Sequence, residues 1–465
     1  RALDAARAGL DGEPALRLEV ERTTLALYVP ARSADAQREM LRHARLPGDT
    51  PAERLALANA ALAHGFDPDQ RAEVALALAR RALGDGALAR EQGTETPAWG
   101  QACYAAIFAE DLETVERESD IALDQGRRRG SPLALVSGWI GHVSVRLQRG
   151  DLPGAVAAGE AALDCASDVR WTVIASRWLS ASARFLAEAL VGTGELERAD
   201  DLLREWERAG DLDLPDLVLV RLGRAFHAEA VGDHERALAE ATRFGEVCAS
   251  VGYVERNSPW RLVAARAASA LGDQRRAVAL ADEALVLTRR WGAPGELGAT
   301  LRTRALVGPG GARAAGLQEA VTLLRTTPRR LALATALVDL GVAQRRHGLR
   351  RHARAALEEG MDLAARCGAV PLAERARTEL HVLGARPRRH LASGVQSLTA
   401  TQRRVAELVA DGLTNREIAQ AAFITQKTAE THVSAVLRKL DVRSRHQVAG
   451  CLAADAEPGA TANAG

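Results

Sequence analysis

A glycine followed five residues later by an alanine recurs six times in phase: Gly150/Ala155, Gly194/Ala199, Gly232/Ala237, Gly272/Ala277, Gly310/Ala315 and Gly348/Ala353. Nothing else in the 465-residue chain constrains its fold as strongly. Successive glycines are 44, 38, 40, 38 and 38 residues apart. Glycine supplies the left-handed turn by which a chain leaves one helix. A small alanine early in the next helix lets the two helices pack closely. Ala and Leu then recur at helical spacing, as at Ala277, Leu280, Ala281, Ala284 and Leu285. Each such hairpin leaves an apolar face that only its neighbour can cover, so hairpins must stack. Glu110 with Val115 stands where an earlier, degenerate copy belongs. The pattern predicts a helical-hairpin solenoid over residues 1–385, with eight or nine repeats once the divergent N-terminal region is counted. Its period exceeds the ~34 residues of a tetratricopeptide unit, so it is tetratricopeptide-like with longer helices. A non-repetitive α-bundle is the alternative.

Composition supports helix and excludes several functions. Ala, Leu and Arg dominate and aromatics make up only 3% of the chain, which favours helix. Cys103, Cys165, Cys248, Cys367 and Cys451 are far apart and odd in number, which fits buried free thiols and neither a disulfide framework nor a metal site. No apolar run approaches the ~20 residues needed to cross a bilayer. The histidines are isolated, and no nucleophile, paired-carboxylate or metal-ligand pattern can be assembled, so neither catalytic nor metal residues are expected. Trp139, Trp171, Trp178, Trp206, Trp260 and Trp291 are spread over successive repeats; they fit wedges between repeats better than a binding groove. The only lysines are Lys427 and Lys439, so no phosphate-binding Walker A loop, which needs a lysine in a glycine-rich context, can be present.

Residues 398–452 are organised differently. Thr399 with Gln402, Thr414 with Glu417, and Ser444 with Gln447 fit the reciprocal capping box, and Thr425 can cap a further helix. Four short helices follow, over Ala400–Ala410, Asn415–Ala422, Gln426–Leu440 and Arg445–Leu452. On the third, Val433, Val436, Leu437 and Leu440 form one apolar stripe. Lys427, Thr431, Ser434 and Arg438 fall on the opposite side, with Glu430 beside them. Two helices joined by a tight turn, the second with a polar and basic outer face, is the layout of a helix-turn-helix DNA reader. From Arg386 onward there are eleven Lys and Arg against seven Asp and Glu, a balance of +4 in a chain of net charge +1. That is the electrostatic footprint a DNA-binding segment needs. A helical bundle with a merely solvated charged face is the bland alternative.

The segment resembles the LuxR-type helix-turn-helix domain of bacterial transcription regulators. The resemblance rests on Leu398-Thr399, Val405, Gly412 through Ala419 (GLTNREIA), Ile424, Lys427-Thr428, His432-Val433, Arg438-Lys439-Leu440 and Ser444-Arg445. Two departures are Gln402, where the family usually has Glu, and Ala429, where it usually has Val. More loosely, residues 336–389 look like the region that precedes the reader in the large ATP-binding members of the family. The nucleotide-binding module of those proteins is missing here, and the chain opens on Arg1, which reads as a fragment or a shortened relative. No cofactor is expected in this chain; ATP belongs only to a longer parent.

The expected fold is all-α: the solenoid over 1–385, a basic linker over 386–396, a four-helix reader over 397–455 and a disordered tail over 456–465. By family position and wheel angle, Glu430, Thr431 and Ser434 read base edges, while Thr414, Lys427, Thr428, His432 and Arg438 meet phosphates. The last helix is implied as a dimer contact, with Val448 and Leu452 on one face; packing onto their own domain's core is the competing reading. Double-stranded DNA with an inverted-repeat operator is the expected partner, with a homodimer on DNA and RNA polymerase as a possible contact. An effector or partner protein is expected on the solenoid. The location implied is the cytoplasm, at the nucleoid. The rival reading is an interaction scaffold with weak or vestigial DNA binding.

Overall fold

The computed structural model describes residues 11–27, 29–166, 173–215, 217–252, 259–384, 398, 400–422, 424–440, 442 and 444–456. Within them every regular element is a helix. Nine helical hairpins succeed one another. They are α1/α2 (Gly12–Leu27, Pro30–Leu41), α3/α4 (Pro51–Phe66, Ala72–Leu83), then after a short α5 (Ala87–Gln92) α6/α7 (Pro97–Phe108, Leu112–Arg129), α8/α9 (Pro132–Arg149, Leu152–Cys165) and α10/α11 (Val173–Thr193, Leu196–Ala209). The series continues with α12/α13 (Leu219–Val231, His234–Ser250), α14/α15 (Trp260–Ala270, Gln274–Trp291), α16/α17 (Pro294–Val307, Arg313–Leu324) and α18/α19 (Arg330–Arg346, Arg350–Arg366). Helix α20 (Val370–Val382) covers the last pair.

The hairpin corner is a local device. Gly150, Gly194, Gly232, Gly272 and Gly348 all have positive φ. At three of them the next residue is an aspartate that caps the second helix: Asp151 accepts from the Gly154 amide, Asp233 from Arg236 and Asp273 from Arg276, each at 3.0 Å. Ala155, Ala199, Ala237, Ala277 and Ala353 are completely buried at the helix–helix contact. Glu110 takes the same left-handed turn without being glycine (φ 62°), and Val115 is buried as its alanine counterpart. The Gly310/Ala315 pair departs from the pattern. Gly310 lies in a short 3-10 turn, Gly310–Ala312, and Ala315 is exposed. The extra turn rotates α17, so Leu317 and Ala320 fill the contact instead.

The stack winds until it meets itself. The Leu152 amide donates to the Cys367 carbonyl at 3.2 Å, and the Trp291 indole to the Phe108 carbonyl at 2.9 Å. The Gln37 amide reaches the Val251 carbonyl at 3.2 Å. Arg290 pairs with Asp69. These partners lie 183 to 221 residues apart, or about five hairpins. One superhelical turn of five hairpins therefore rests on the next. The first helix of each hairpin faces inward and the second outward. Trp139, Trp178, Trp206 and Trp291 are buried in this stack as wedges; Trp260 is half-buried, and Trp171 lies outside the described residues. Cys103, Cys248 and Cys367 are buried and Cys165 and Cys451 half-buried, none of them joined in a disulfide. No described helix is long and apolar enough to cross a membrane.

Candidate nucleic-acid interface

The reader is built from α21 (Ala400–Ala410), α22 (Asn415–Ala421), α23 (Gln426–Lys439), a 3-10 turn at Arg445–Gln447 and α24 (Val448–Ala456). The start signals operate as read. Thr414 accepts from the Glu417 amide at 3.3 Å, while the Glu417 carboxylate accepts from the Thr414 amide at 2.7 Å. Those bonds hold the Glu417 carboxyl below its ordinary range. Thr425 caps α23 through the Thr428 amide at 3.1 Å. Ser444 and Gln447 form the third reciprocal box, but it opens a 3-10 turn and only then the final helix. Thr399, the start of the first expected box, lies outside the described residues, as do the linker segment 386–396 and tail residues 457–465; Ala456 itself ends α24.

Val405, Val409, Ile418, Ile424, Val433 and Val436 converge on one small core, with the last of the solenoid helices well separated in sequence. Ala429 is fully buried there, so its small size is a packing matter and leaves the outer face alone. Lys439 donates from Nζ to the Gln402 side-chain oxygen at 2.7 Å, tying the end of α23 to α21. Arg445 donates to the Leu413 carbonyl and holds the C-terminal turn against the α21–α22 loop.

On the outer side of α23, Lys427, Glu430, Thr431, Ser434 and Arg438 are exposed together, and Thr428 is half-exposed. Thr414 is exposed at the start of α22. Gln426 donates to Glu430 at 3.2 Å, and the Thr431 hydroxyl donates to the Lys427 carbonyl one turn back, at 3.0 Å. These are weak local rests on an open helix face, easily exchanged for a base edge or a phosphate.

Two of the expected roles fail on burial. His432 is only 6% exposed and its Nε2 has no partner, so it cannot meet a phosphate in this arrangement. It lies on the inward flank of α23, where burial and the neighbouring Arg146 disfavour its protonation and the field of Asp151 only partly offsets them. Val448 is 0% exposed and belongs to the reader's own core, so it is not a dimer contact; Leu452 is half-buried against the same core. The i, i+4 spacing is the same for either role, and the core claimed Val448.

The reader rests on the solenoid. The Thr401 hydroxyl donates to Asp151 at 2.6 Å, the same carboxylate that caps α9. Beside this bond lies a polar cavity of about 650 Å³, flanked by Arg149, Arg366 and Arg404. The contact uses α21, with His432 on the inward flank of α23 near Arg146 and Asp151, and leaves the outer face of α23 open.

The sequence pattern described as bacterial regulatory proteins, luxR family, matches residues 396–452. A Mycobacterium tuberculosis protein named as an HTH-type transcriptional regulator is 39% identical over 80 residues, which are 17% of this chain and 8% of that protein. The transcriptional regulatory protein LiaR of Bacillus subtilis is 46% identical over 54 residues, 12% of this chain and 26% of LiaR. The matched segment thus spans a small part of each relative's length. Among solved structures, a Rap protein complexed with competence and sporulation factor aligns over 71% of this chain and 99% of its own, with TM-score 0.41 and 12% identity. Taken with the capped helices and the three-helix core, the matches establish that residues 396–452 are a LuxR-family helix-turn-helix domain.

Proposed function

We propose that this chain is a sequence-specific transcriptional regulator in which the superhelical solenoid senses an effector and the C-terminal reader binds the major groove as a dimer. The observation that carries this reading is the exposed row Lys427, Glu430, Thr431, Ser434 and Arg438 on a helix held rigidly over its own core, inside a LuxR-family domain. Glu430, Thr431 and Ser434 read base edges. Lys427, Thr428 and Arg438 meet phosphates, and the start of α22 at Thr414 presents its amides to a further one. With Val448 committed to the core, the dimer forms through Leu452 and the exposed positions of the final helix. A two-fold dimer then demands an inverted-repeat operator. RNA polymerase is the downstream partner, the site of action is the nucleoid, and no cofactor is needed within this chain.

The test is selection of bound fragments from genomic DNA by the full chain, followed by fluorescence-anisotropy titration of the recovered sites at several salt concentrations. Tight binding that falls steeply with salt, and is lost in a Thr431→Ala/Arg438→Ala variant, is expected. Binding no tighter than to random DNA, unchanged in that variant, would instead favour the scaffold role.

A further inference from the structure

The inner helices α6, α8, α10, α12, α14, α16 and α18 converge on one chamber of about 400 Å³ at the axis of the superhelix. This is the size of a small-molecule site. A second, smaller hollow opens from it between Leu62, Phe66, Phe108, Phe185 and Leu222. The two share Tyr104, Phe108, Arg184 and Phe185, so the whole has a polar room and an apolar annex.

The charges of the polar room are uneven. Arg184, Arg266, Arg302 and Arg329 line it, against Glu188 and Glu296. Three of the arginines are built into the walls. Arg266 is gripped by Glu229 through two bonds, one of 2.7 Å; Arg302 donates to Asp339 at 2.6 Å; Arg329 lies between Glu110 and Glu296 at 3.1 and 3.2 Å. Arg184 is different. Among the described residues its ion pair is with Glu188 alone, at 3.0 Å, and its Nε, like that of Arg329, is buried with no partner. Its guanidinium lies 4.4 Å from the Phe185 ring centre and 5.7 Å from that of Phe226, at the junction with the annex. The Gln148 side-chain oxygen, on the neighbouring inner helix α8, is also buried without a partner. Native interiors leave few such atoms unsatisfied, and a group of them around a cavity marks where a ligand's polar atoms belong.

We propose that this chamber binds a small amphipathic anion. Its apolar or aromatic body occupies the annex against Phe66, Phe108 and Phe185. Its single oxyanion, a carboxylate or a phosphate monoester, accepts from Arg184. Gln148 accepts from a hydroxyl or amide N–H on the ligand. The aromatic faces flanking Arg184 keep its guanidinium in a water-poor setting, where a charge-assisted bond to an oxyanion is strong. The proposal rests on the reading that the solenoid is the sensor, and names the chemistry it senses.

The test uses the full chain and the fluorescent anion 1-anilinonaphthalene-8-sulfonate, beside its uncharged relative N-phenyl-1-naphthylamine. The anion is expected to saturate one site per chain, in protein whose cooperative melt and near-ultraviolet circular dichroism are those of a packed fold. Arg184→Gln should weaken the anion at least tenfold and leave the uncharged dye within twofold. Ala299→Phe and Ala332→Phe, which fill the chamber from two neighbouring inner helices without changing charge, should each abolish binding of both dyes; two variants are used so that misfolding of one leaves the other. Octanoate and phenyl phosphate, as competitors, distinguish a carboxylate from a phosphate head. Equal dye affinity in the wild type, Arg184→Gln and whichever filled variant folds would overturn the proposal. DNA affinity of the same chain with and without the better competitor is read separately. A filled chamber with unchanged DNA affinity removes the sensor reading and leaves the site; an empty chamber removes the site and leaves DNA binding untouched.

Discussion

Thr431 and Arg438 share one exposed face, yet their substitutions should read differently. Loss of a base contact in Thr431→Ala should cost about 1–3 kcal/mol against the preferred site and relax discrimination at one base pair. Loss of a phosphate contact in Arg438→Ala or Lys427→Ala should weaken binding to all sequences alike and lower the salt slope by about 1. Anisotropy titrations on matched and single-mismatch duplexes at three salt concentrations separate the two. His432 makes a pH prediction with a definite sign. Burial holds its pKa below the ordinary 6.5, so the unfolded chain takes up a proton that the folded reader refuses. The stability this gives is present above about pH 6.5 and is lost as pH falls towards the folded value. Urea melts of wild type and His432→Gln at pH 7.5 and 5.5 should show a larger acid loss in the wild type. Both residues sit on α23, and wheel angle placed Thr431 correctly on its outer side. It could not place His432, because a histidine on a flank is exposed or buried according to what packs beside the helix.

At the level of the element, the hairpin corner combines three separable contributions. Gly232 has φ 81° and nothing within 4 Å of where a Cβ would stand, so Gly232→Ala tests backbone strain alone. It should cost about 1–2 kcal/mol. Asp233→Ala removes the cap of α13 and should cost about 1 kcal/mol. Gly341→Ala is a packing test: its Cβ would stand 2.5 Å from Leu357 and 3.1 Å from the Ala353 backbone oxygen, where α18 crosses α19. Overpacking there should cost about 1–3 kcal/mol. Denaturant midpoints of the three variants check the ranking. The corner glycines were legible in the sequence because left-handed backbone has a residue preference. Glu110 was legible only by its place in the period, since its own side chain argues against the turn it makes. Gly310 was misread for the converse reason: the period put it at a corner, but the two residues before it, Gly308 and Pro309, redirect the chain into a 3-10 turn.

Across the whole molecule, closure of the superhelix depends on a few long-range polar contacts, of which Glu110 is the most connected. Its carboxylate accepts from the Gly295 and Glu296 amides, both at 2.8 Å, and so caps α16 from 185 residues away while pairing with Arg329. Neutralising it in Glu110→Gln leaves a buried arginine half-paired and should cost about 3 kcal/mol. Hydrogen exchange should show the start of α16 opening before the outer helices. The reader, by contrast, is joined to the solenoid through Thr401 and Asp151 beside a polar cavity, a contact of the kind that permits domain motion. Thr401→Val should leave the thermal midpoint within about 2 °C. It should also speed the reader's independent tumbling, read from NMR relaxation.

Periodicity determined the all-helical class, the repeat and the position of most corners, because each depends on local backbone preference and on an apolar face repeating every hairpin. Cap chemistry likewise determined where α22, α23 and the C-terminal turn of the reader begin, and helical spacing determined which side of α23 is polar. Closure of the coil was decided elsewhere. Glu229 with Arg266, and Arg302 with Asp339, are each separated by 37 residues, close to one repeat, and that charge ladder was present in the chain to be read. Its meaning was not, because only the curvature of the stack shows that these positions face inward. Burial of His432 and Val448, the hold of Glu110 on α16 and the chamber around Arg184 are likewise tertiary facts. Each depends on which surfaces meet when distant hairpins come together, and no local preference encodes that meeting.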